Sequence, residues 1–170
     1  SSPIHEARLL ALLLLMHHYE TGDAPVKQRV YRLYLDSTAH INNWDLVDIS
    51  ADHIVGRHLL TRNKAPLYRL ARSRELWERR IAIIATFFYI KRNLFEETLK
   101  VSEMLLHDRE DLIHKAVGWM LREVGKRDPG AEEAFLKSHY REMPRTMLRY
   151  AIEKFPENKR QDYLKGKVKG

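Results

Sequence analysis

Apolar residues recur at spacings of three and four along almost the whole chain, and no segment shows the sustained alternation that is typical of a strand. Only 7 glycines and 6 prolines interrupt this pattern, and they divide it into segments of helical length. The sequence therefore predicts an all-α protein. The predicted helices cover about 4–19, 26–36, 41–59, 75–91, 94–106 and 111–126, with others that begin near Pro66, Pro129, Pro144 and Pro156.

Weak internal similarity favours a solenoid over a bundle, since both are built from helices of this length. Segments 76–82 and 111–117 align at an offset of 35 residues. The matched pairs are Trp77 with Leu112, Arg80 with Lys115, and Ile81 with Ala116. A period of about 40 residues with two helices per unit is typical of HEAT-like repeats. One polar residue of each second helix then falls at an equivalent position, and we expect this row on the concave surface. The row comprises Asp48, Arg80 and Lys115.

The charge of the chain is basic and uneven. Thirty Lys and Arg residues oppose 23 Asp and Glu residues, which gives a formal charge of +7 and a pI near 9.6. Residues 57–92 carry ten basic side chains against Glu75 and Glu78, so this stretch alone has a charge of +8. A local excess of one sign indicates a surface for a polyanion, and nucleic acid is the expected partner. A second basic cluster is expected in a frayed C-terminal tail. It comprises Lys159, Arg160, Lys165, Lys167 and Lys169.

Several classes of protein are excluded by what the sequence lacks. There is no cysteine, which excludes a disulfide scaffold, a thiolate zinc site and a cysteine nucleophile. Nine histidines are scattered without metal-site spacing, and there is no glycine-rich phosphate loop, so we expect neither a metal nor a cofactor. The longest apolar runs, Leu9–Met16 and Ile81–Tyr89, are too short to span a bilayer. We therefore expect an intracellular protein with no membrane partner and no requirement for an oligomer.

Two tryptophans and one carboxylate are the candidates for chemistry. Trp44 and Asp48 are four residues apart on a predicted helix, so they project from one face. Trp119 lies four residues after Lys115 and leans toward the corresponding face of a later repeat. Tryptophan in a helical protein commonly belongs to the core, and an aspartate near arginines commonly forms a salt bridge. From spacing alone, both the structural and the functional interpretations stay open.

Three motifs, taken in chain order, carry a resemblance to a known family. They are Trp44-Asp45-Leu46-Val47-Asp48, Leu76-Trp77-Glu78-Arg79-Arg80 and Lys115-Ala116-Val117-Gly118-Trp119-Met120-Leu121-Arg122-Glu123. Over about residues 5–152 the chain resembles the HEAT-like-repeat DNA alkylation repair enzymes, the AlkD-type DNA glycosylases. The resemblance implies a right-handed α-solenoid of HEAT-like antiparallel helix pairs that holds duplex DNA in a basic concave groove. It also implies a location in the bacterial cytosol or nucleoid.

By this resemblance, the protein would hydrolyse the N-glycosidic bond of cationic alkylated purines in duplex DNA, as a DNA glycosylase of base excision repair. Its substrates would be N3-methyladenine and N7-methylguanine. Asp48 would be the catalytic carboxylate, and Trp44 and Trp119 would pack against the deoxyribose of the lesion. Arg80 would hold the DNA backbone beside the lesion. Beyond what the resemblance implies, we also expect Lys115 and Arg79 to bind the DNA backbone.

The chain also departs from the family pattern. Family members generally carry further helices before the first one here, so we expect an N-terminally shortened repair domain over residues 1–158 and a basic tail over 159–170. The apolar face of residues 9–15 would then be exposed and could drive self-association. Asn42-Asn43 stand where the family often has another tryptophan. Two alternatives remain open: a non-enzymatic HEAT module that binds nucleic acid by charge, and a protein-interaction scaffold for an acidic partner.

Overall fold

The computed structural model describes residues 2–168, and all regular secondary structure in this part of the chain is helical. The chain divides into two compact units, residues 1–88 and residues 89–170. No helix within the described range is long and apolar enough to cross a membrane. The predicted all-α fold is therefore confirmed for the described residues.

The described part of the first unit contains six helices, and a π-helical segment joins two of them into one continuous helix. Its helices are α1 (His5–Thr21), α2 (Ala24–Asp36), α3 (Trp44–Ala51), α4 (Arg57–Leu59), α5 (Ala65–Ala71) and α6 (Leu76–Ala85). A 3₁₀ turn, Thr38–His40, follows α2, and a π-helical segment, Asp52–Gly56, joins α3 to α4. The predicted helix over 41–59 thus exists as one continuous rod from Trp44, with a change of hydrogen-bond pattern inside it.

The second unit is built around one long helix. Its helices are α8 (Glu96–Met104), α9 (Asp111–Gly125), α10 (Pro129–His139), α11 (Arg145–Ala151) and α12 (Glu157–Leu164). The short helix α7 (Phe87–Ile90) crosses the boundary between the units, and the 3₁₀ turn Ile152–Lys154 follows α11. The predicted helix over 75–91 is interrupted between α6 and α7 at Thr86, whose hydroxyl donates to the Ile83 carbonyl at 2.7 Å.

Side-chain caps start several helices. Asp23 accepts a hydrogen bond from the Val26 amide at the start of α2, with Pro25 in the first turn. Asn43 accepts from the Trp44 amide at the start of α3 at 2.8 Å. Asp128 accepts from the Ala131 amide at the start of α10. Such caps satisfy backbone donors that have no partner inside the helix, so they define where each helix begins.

The core of the first unit lies between α3 and α6, which pack directly against each other. Leu46, Val47, Ile81 and Ile83 are all completely buried there. Gly56 makes the close approach possible, because a Cβ at this position would lie 2.1 Å from the Ala85 carbonyl oxygen. The packing places Asp48 of α3 beside Arg80 of α6, and this contact positions the candidate site.

The core of the second unit lies around α9, which packs against α10 and α11. A Cβ on Gly118 would lie 2.5 Å from the Met147 carbonyl oxygen, so this glycine allows the close approach of α9 and α11. Glu132 of α10 is 2% exposed, and burial raises the pKa of its carboxyl to about 8. This carboxyl is therefore mostly protonated at neutral pH.

The C-terminal segment is more ordered than the sequence suggests. Residues 157–164 form α12, which confirms the short helix expected after Pro156. Tyr163 is buried, and Lys159 donates to Glu133 at 2.8 Å. The expectation of a frayed tail is thus wrong for residues 159–164, because an aromatic anchor and an ion pair hold them against the second unit. Lys169 lies outside the described residues. The assignment of residues 1–158 to one domain, followed by a basic tail, stays a prediction.

Candidate active site

The centre of the candidate site is an ion pair between Asp48 on α3 and Arg80 on α6. The Arg80 Nε donates to one carboxylate oxygen of Asp48 at 2.9 Å, and Nη2 donates to the other at 2.7 Å. The Asp48 side chain is 17% exposed and the Arg80 side chain 6% exposed. The repeat register places these two residues at equivalent positions in the second helices of successive repeats, and the packing of α3 on α6 brings them into contact.

Two opposing effects act on the Asp48 carboxyl. Burial raises its pKa, whereas the hydrogen bonds and the positive charge of Arg80 lower it. The charge of Asp45, three residues earlier on the same helix, adds a smaller upward effect. Burial is the largest of these effects, so the pKa lies above the ordinary value. Without Arg80, this carboxyl would face the cost of burying a charge with no partner.

Trp44 stands one helical turn before Asp48 and is exposed to solvent. Its side chain is 55% exposed, so it is not a core residue. The interpretation that it packs in the interior, which spacing alone left open, is therefore wrong. A large apolar ring left in solvent beside a half-buried carboxylate is typical of a binding surface. The cap on Asn43 fixes the backbone from which the ring projects.

A second carboxylate beside the site was missed by the sequence analysis. Asp45 accepts a hydrogen bond from the Leu46 amide, and its other oxygen lies 2.7 Å from Nε2 of His5 on α1. Both side chains are about one-third exposed. This contact ties the start of α1 to the start of α3. No sequence signal could have found it, because the two residues are 40 positions apart and share no motif.

Arg79 is directed to the protein backbone. Its Nη1 donates to the carbonyl oxygens of Ser73 and Arg74 at 3.1 and 2.9 Å. These carbonyls belong to the turn between α5 and α6, so the guanidinium stabilises that turn. The predicted contact of Arg79 with DNA is not tested by this arrangement and stays a prediction.

Lys115 and Trp119 belong to the second unit, on α9. Lys115 pairs with Asp111 at 2.7 Å, one turn earlier, and its hydrogen bond lowers the pKa of the Asp111 carboxyl. Trp119 is half-buried, and its indole N–H donates to a Glu123 carboxylate oxygen at 3.2 Å. Their predicted roles in binding DNA stay predictions.

The described residues contain no group of three or more His, Asp or Glu side chains that could hold a metal ion. The carboxylate of Asp48 is engaged by a guanidinium on both oxygens, which is the arrangement of an organic ion pair and not of a metal ligand. What this site offers chemically is one fixed anion, one buried cation and one exposed indole.

Comparison with known proteins decides the family. Residues 1–155 match the family model of the DNA alkylation repair enzymes. The chain belongs to this family. The resemblance expected from the three motifs is thereby confirmed, and family membership gives the chain a role in DNA repair, with DNA as its substrate.

The fold also has a counterpart among solved structures. A predicted DNA alkylation repair enzyme from Enterococcus faecalis is 16% identical to this chain, with a TM-score of 0.57. The match covers 89% of this chain and 81% of that chain. At this identity the likeness shows the fold alone, and the predicted fold class, an α-solenoid of the DNA alkylation repair type, is confirmed. No curated protein matches the sequence.

Proposed function

We propose that this member of the family is a DNA glycosylase that removes cationic alkylated purines, such as N3-methyladenine and N7-methylguanine, from duplex DNA. The observation that carries the proposal is the Asp48 carboxylate, held on both oxygens by Arg80 and still 17% exposed, one turn from the exposed Trp44. It is a fixed negative charge on the surface of a basic DNA repair protein.

The chemistry suits so sparse a site. An N3- or N7-alkylated purine carries a positive charge, and it becomes neutral when it takes the electron pair of the glycosidic bond. No general acid has to protonate this leaving group. The barrier then depends on the positive charge that develops on the sugar, and a fixed anion nearby stabilises that charge. Water adds to the sugar carbon, and its proton passes to the carboxylate or to solvent, which leaves a free base and an abasic site.

Asp48 would supply the anion, and Arg80 would set its position. A carboxylate bonded on both oxygens cannot rotate, so its charge stays directed to one place without reorganisation during the reaction. The resemblance also implies that Arg80 contacts the DNA backbone beside the lesion, and we propose this contact as a second role of the same side chain.

Trp44 would contact the deoxyribose of the lesion. The face of an indole attracts positive charge with about 0.5–2 kcal/mol, depending on how far water is excluded. An exposed indole beside Asp48 would thus support the same charged sugar that the carboxylate stabilises. We propose that Trp119 serves likewise and that Lys115 and Arg79 contact the backbone.

The test is release of methylated purines from a methylated duplex. The full chain is incubated with duplex DNA treated with a methylating agent, and free methylpurines and abasic sites are measured in single turnover. We expect Asp48→Asn to lower the rate at least about a hundredfold, the scale of losing one electrostatic partner in an active site. DNA affinity should hardly change. The matched control is Asp45→Asn, which removes a carboxylate from the same helix at the edge of the site.

The controls separate the alternatives. If the wild-type chain binds DNA and releases no base, it is a nucleic-acid-binding module and the glycosylase proposal is wrong. If it neither binds the duplex at moderate salt nor releases base, a protein-binding scaffold is the better description. Equal rates in wild type and Asp48→Asn would remove Asp48 from the mechanism.

A further inference from the structure

One cavity of the first unit lies apart from the residues of the candidate active site. It has a volume of about 740 Å³, and its walls come from the end of α2, from α5 and from the start of α6. Leu35 and Leu70 give it an apolar floor, and Tyr68 contributes a half-buried aromatic ring. This volume lies in the range of sites that hold nucleotide-sized ligands. Neither Asp48 nor Trp44 lines it.

Three arginines line this cavity, and all of them are exposed: Arg32, Arg69 and Arg72. No hydrogen bond or ion pair joins their guanidinium groups to any residue in the part of the chain that the structure describes. Other arginines of the same unit differ, since Arg57 pairs with Glu20, Arg62 donates to the His58 carbonyl and Arg80 holds Asp48. Some arginines of the basic stretch therefore bind other protein groups, whereas Arg69 and Arg72 line this cavity.

Two carboxylates, Asp36 and Glu78, also line the cavity, so its lining keeps a net charge of +1. Glu78 accepts a hydrogen bond from the Thr38 hydroxyl at 2.8 Å, and Asp36 forms no ion pair with a described residue. Neither carboxylate forms an ion pair with the three guanidinium groups among the described residues, so these groups still repel one another, and a further anion beside them lowers that repulsion. Arginine also suits phosphate, because its planar fork can donate two parallel hydrogen bonds.

From these contacts we infer that the cavity of Arg32, Arg69 and Arg72 is a second DNA-binding site that takes phosphates of the duplex backbone. A single small anion would not need so large a space or the apolar floor and tyrosine ring, which suit a sugar or a base edge. This inference adds to the proposed function. It rests on that function in one respect, which is that the bound polyanion is DNA. It gives the protein a contact with DNA flanking the lesion, made by residues that take no part in bond cleavage.

The experiment measures how DNA binding depends on salt. The full chain is titrated against a fluorescein-labelled, unmodified duplex at about 50 to 200 mM KCl, and binding is read by anisotropy. Each phosphate contact contributes about 0.9 to the slope of log K against log salt concentration. We expect Arg69→Ala/Arg72→Ala to reduce the magnitude of this slope by about 1.8, and Arg69→Lys/Arg72→Lys to retain most of it.

A charge-matched control removes two other cations. Arg109 and Lys165 are exposed residues of the second unit that do not line this cavity, so Arg109→Ala/Lys165→Ala changes the net charge equally. If the two double alanine variants show the same slope and affinity, the inference is wrong. It is also wrong if a few millimolar inorganic phosphate, at constant ionic strength, abolishes the difference between them, because the cavity would then be a site for small anions.

This test does not depend on catalysis. Because the duplex is unmodified, the slope can change as expected even if no base is ever released from methylated DNA. Conversely, base release that depends on Asp48, together with an unchanged slope in Arg69→Ala/Arg72→Ala, would support the glycosylase proposal and overturn this inference. Circular dichroism of each variant verifies that the exposed substitutions leave the fold intact.

Discussion

Replacing Arg80 by methionine would expose how much the Asp48 carboxylate depends on its partner. The substitution keeps the length and apolar stem of the side chain and removes the two donors at 2.7 and 2.9 Å. Breaking a buried ion pair from one side typically costs 3–5 kcal/mol. Asp48 keeps about a sixth of its side chain in water, so we expect the lower end, a loss of about 3 kcal/mol in the free energy of unfolding at pH 8.

The loss should depend on pH, and its sign follows from the carboxylate. Burial already raises the pKa of Asp48, and without Arg80 nothing opposes that rise. The folded variant then holds a proton that the unfolded chain has released, so its stability falls as pH rises above the ordinary carboxylate range. A larger fraction of the variant's carboxyl is protonated at pH 5 than at pH 8, because its pKa is raised. We therefore expect a smaller loss at pH 5 than at pH 8, with about 1.4 kcal/mol for each unit of pKa shift.

Urea unfolding of each protein, followed by circular dichroism at pH 5 and pH 8, measures this difference. Asp48→Asn in the Arg80→Met background should recover part of the lost stability, because it removes the charge that has no partner. Arg74→Met is the control, since Arg74 is exposed and its substitution should stay within about 0.5 kcal/mol. An equal loss at both pH values, or no recovery with Asp48→Asn, would refute the reasoning.

Two further outcomes test the packing of each unit. Burial raises the pKa of Glu132 to about 8, so the folded state binds its proton more tightly than the unfolded chain and stability falls as pH rises from about 5 to about 8. Glu132→Gln should flatten this fall in urea titrations at pH 5 and 8, whereas Glu133→Gln should retain it; identical profiles would contradict the assignment. Gly56→Ala should destabilise by about 1–3 kcal/mol in thermal unfolding, because its Cβ would lie 2.1 Å from the Ala85 carbonyl oxygen. Gly130→Ala should cost less, because its Cβ would meet only the Asp128 carboxylate oxygen, at 3.2 Å.

The sequence predicted the helices well, because their boundaries are local. Asp23, Asn43 and Asp128 cap helices, and each lies within three residues of the amide that it caps. The repeat register also placed Asp48 and Arg80 at equivalent positions of neighbouring repeats, and these two residues are in contact in the structure. It could not show that Arg80 would be almost completely buried, which depends on how closely α3 and α6 approach.

Other features depend on tertiary packing and left no signal in the sequence. His58 lacks the spacing of a metal ligand, and the structure shows its actual setting: its ring stacks on Tyr31 with 4.0 Å between centroids, and the Tyr19 hydroxyl lies 3.1 Å from its Nδ1. Arg32 lies on α2, whereas Arg69 on α5 and Arg72 at its C-terminal end follow 37 and 40 residues later in the sequence. The sequence shows the high positive charge of residues 57–92. It does not show which of these arginines bind other protein groups and which line the cavity.

The π-helical segment Asp52–Gly56 changes the direction in which side chains project between α3 and α4, which together form one continuous helix. A π turn accommodates an extra residue, so it shifts the angular position of everything that follows relative to a regular α-helix. The rod can thereby present Trp44 and Asp48 outward at its start and bury His58 and Leu59 at its end. Deleting one residue from this segment would restore regular winding and set these two requirements against each other, so the irregular turn is what lets the surface chemistry and the core coexist on a single element.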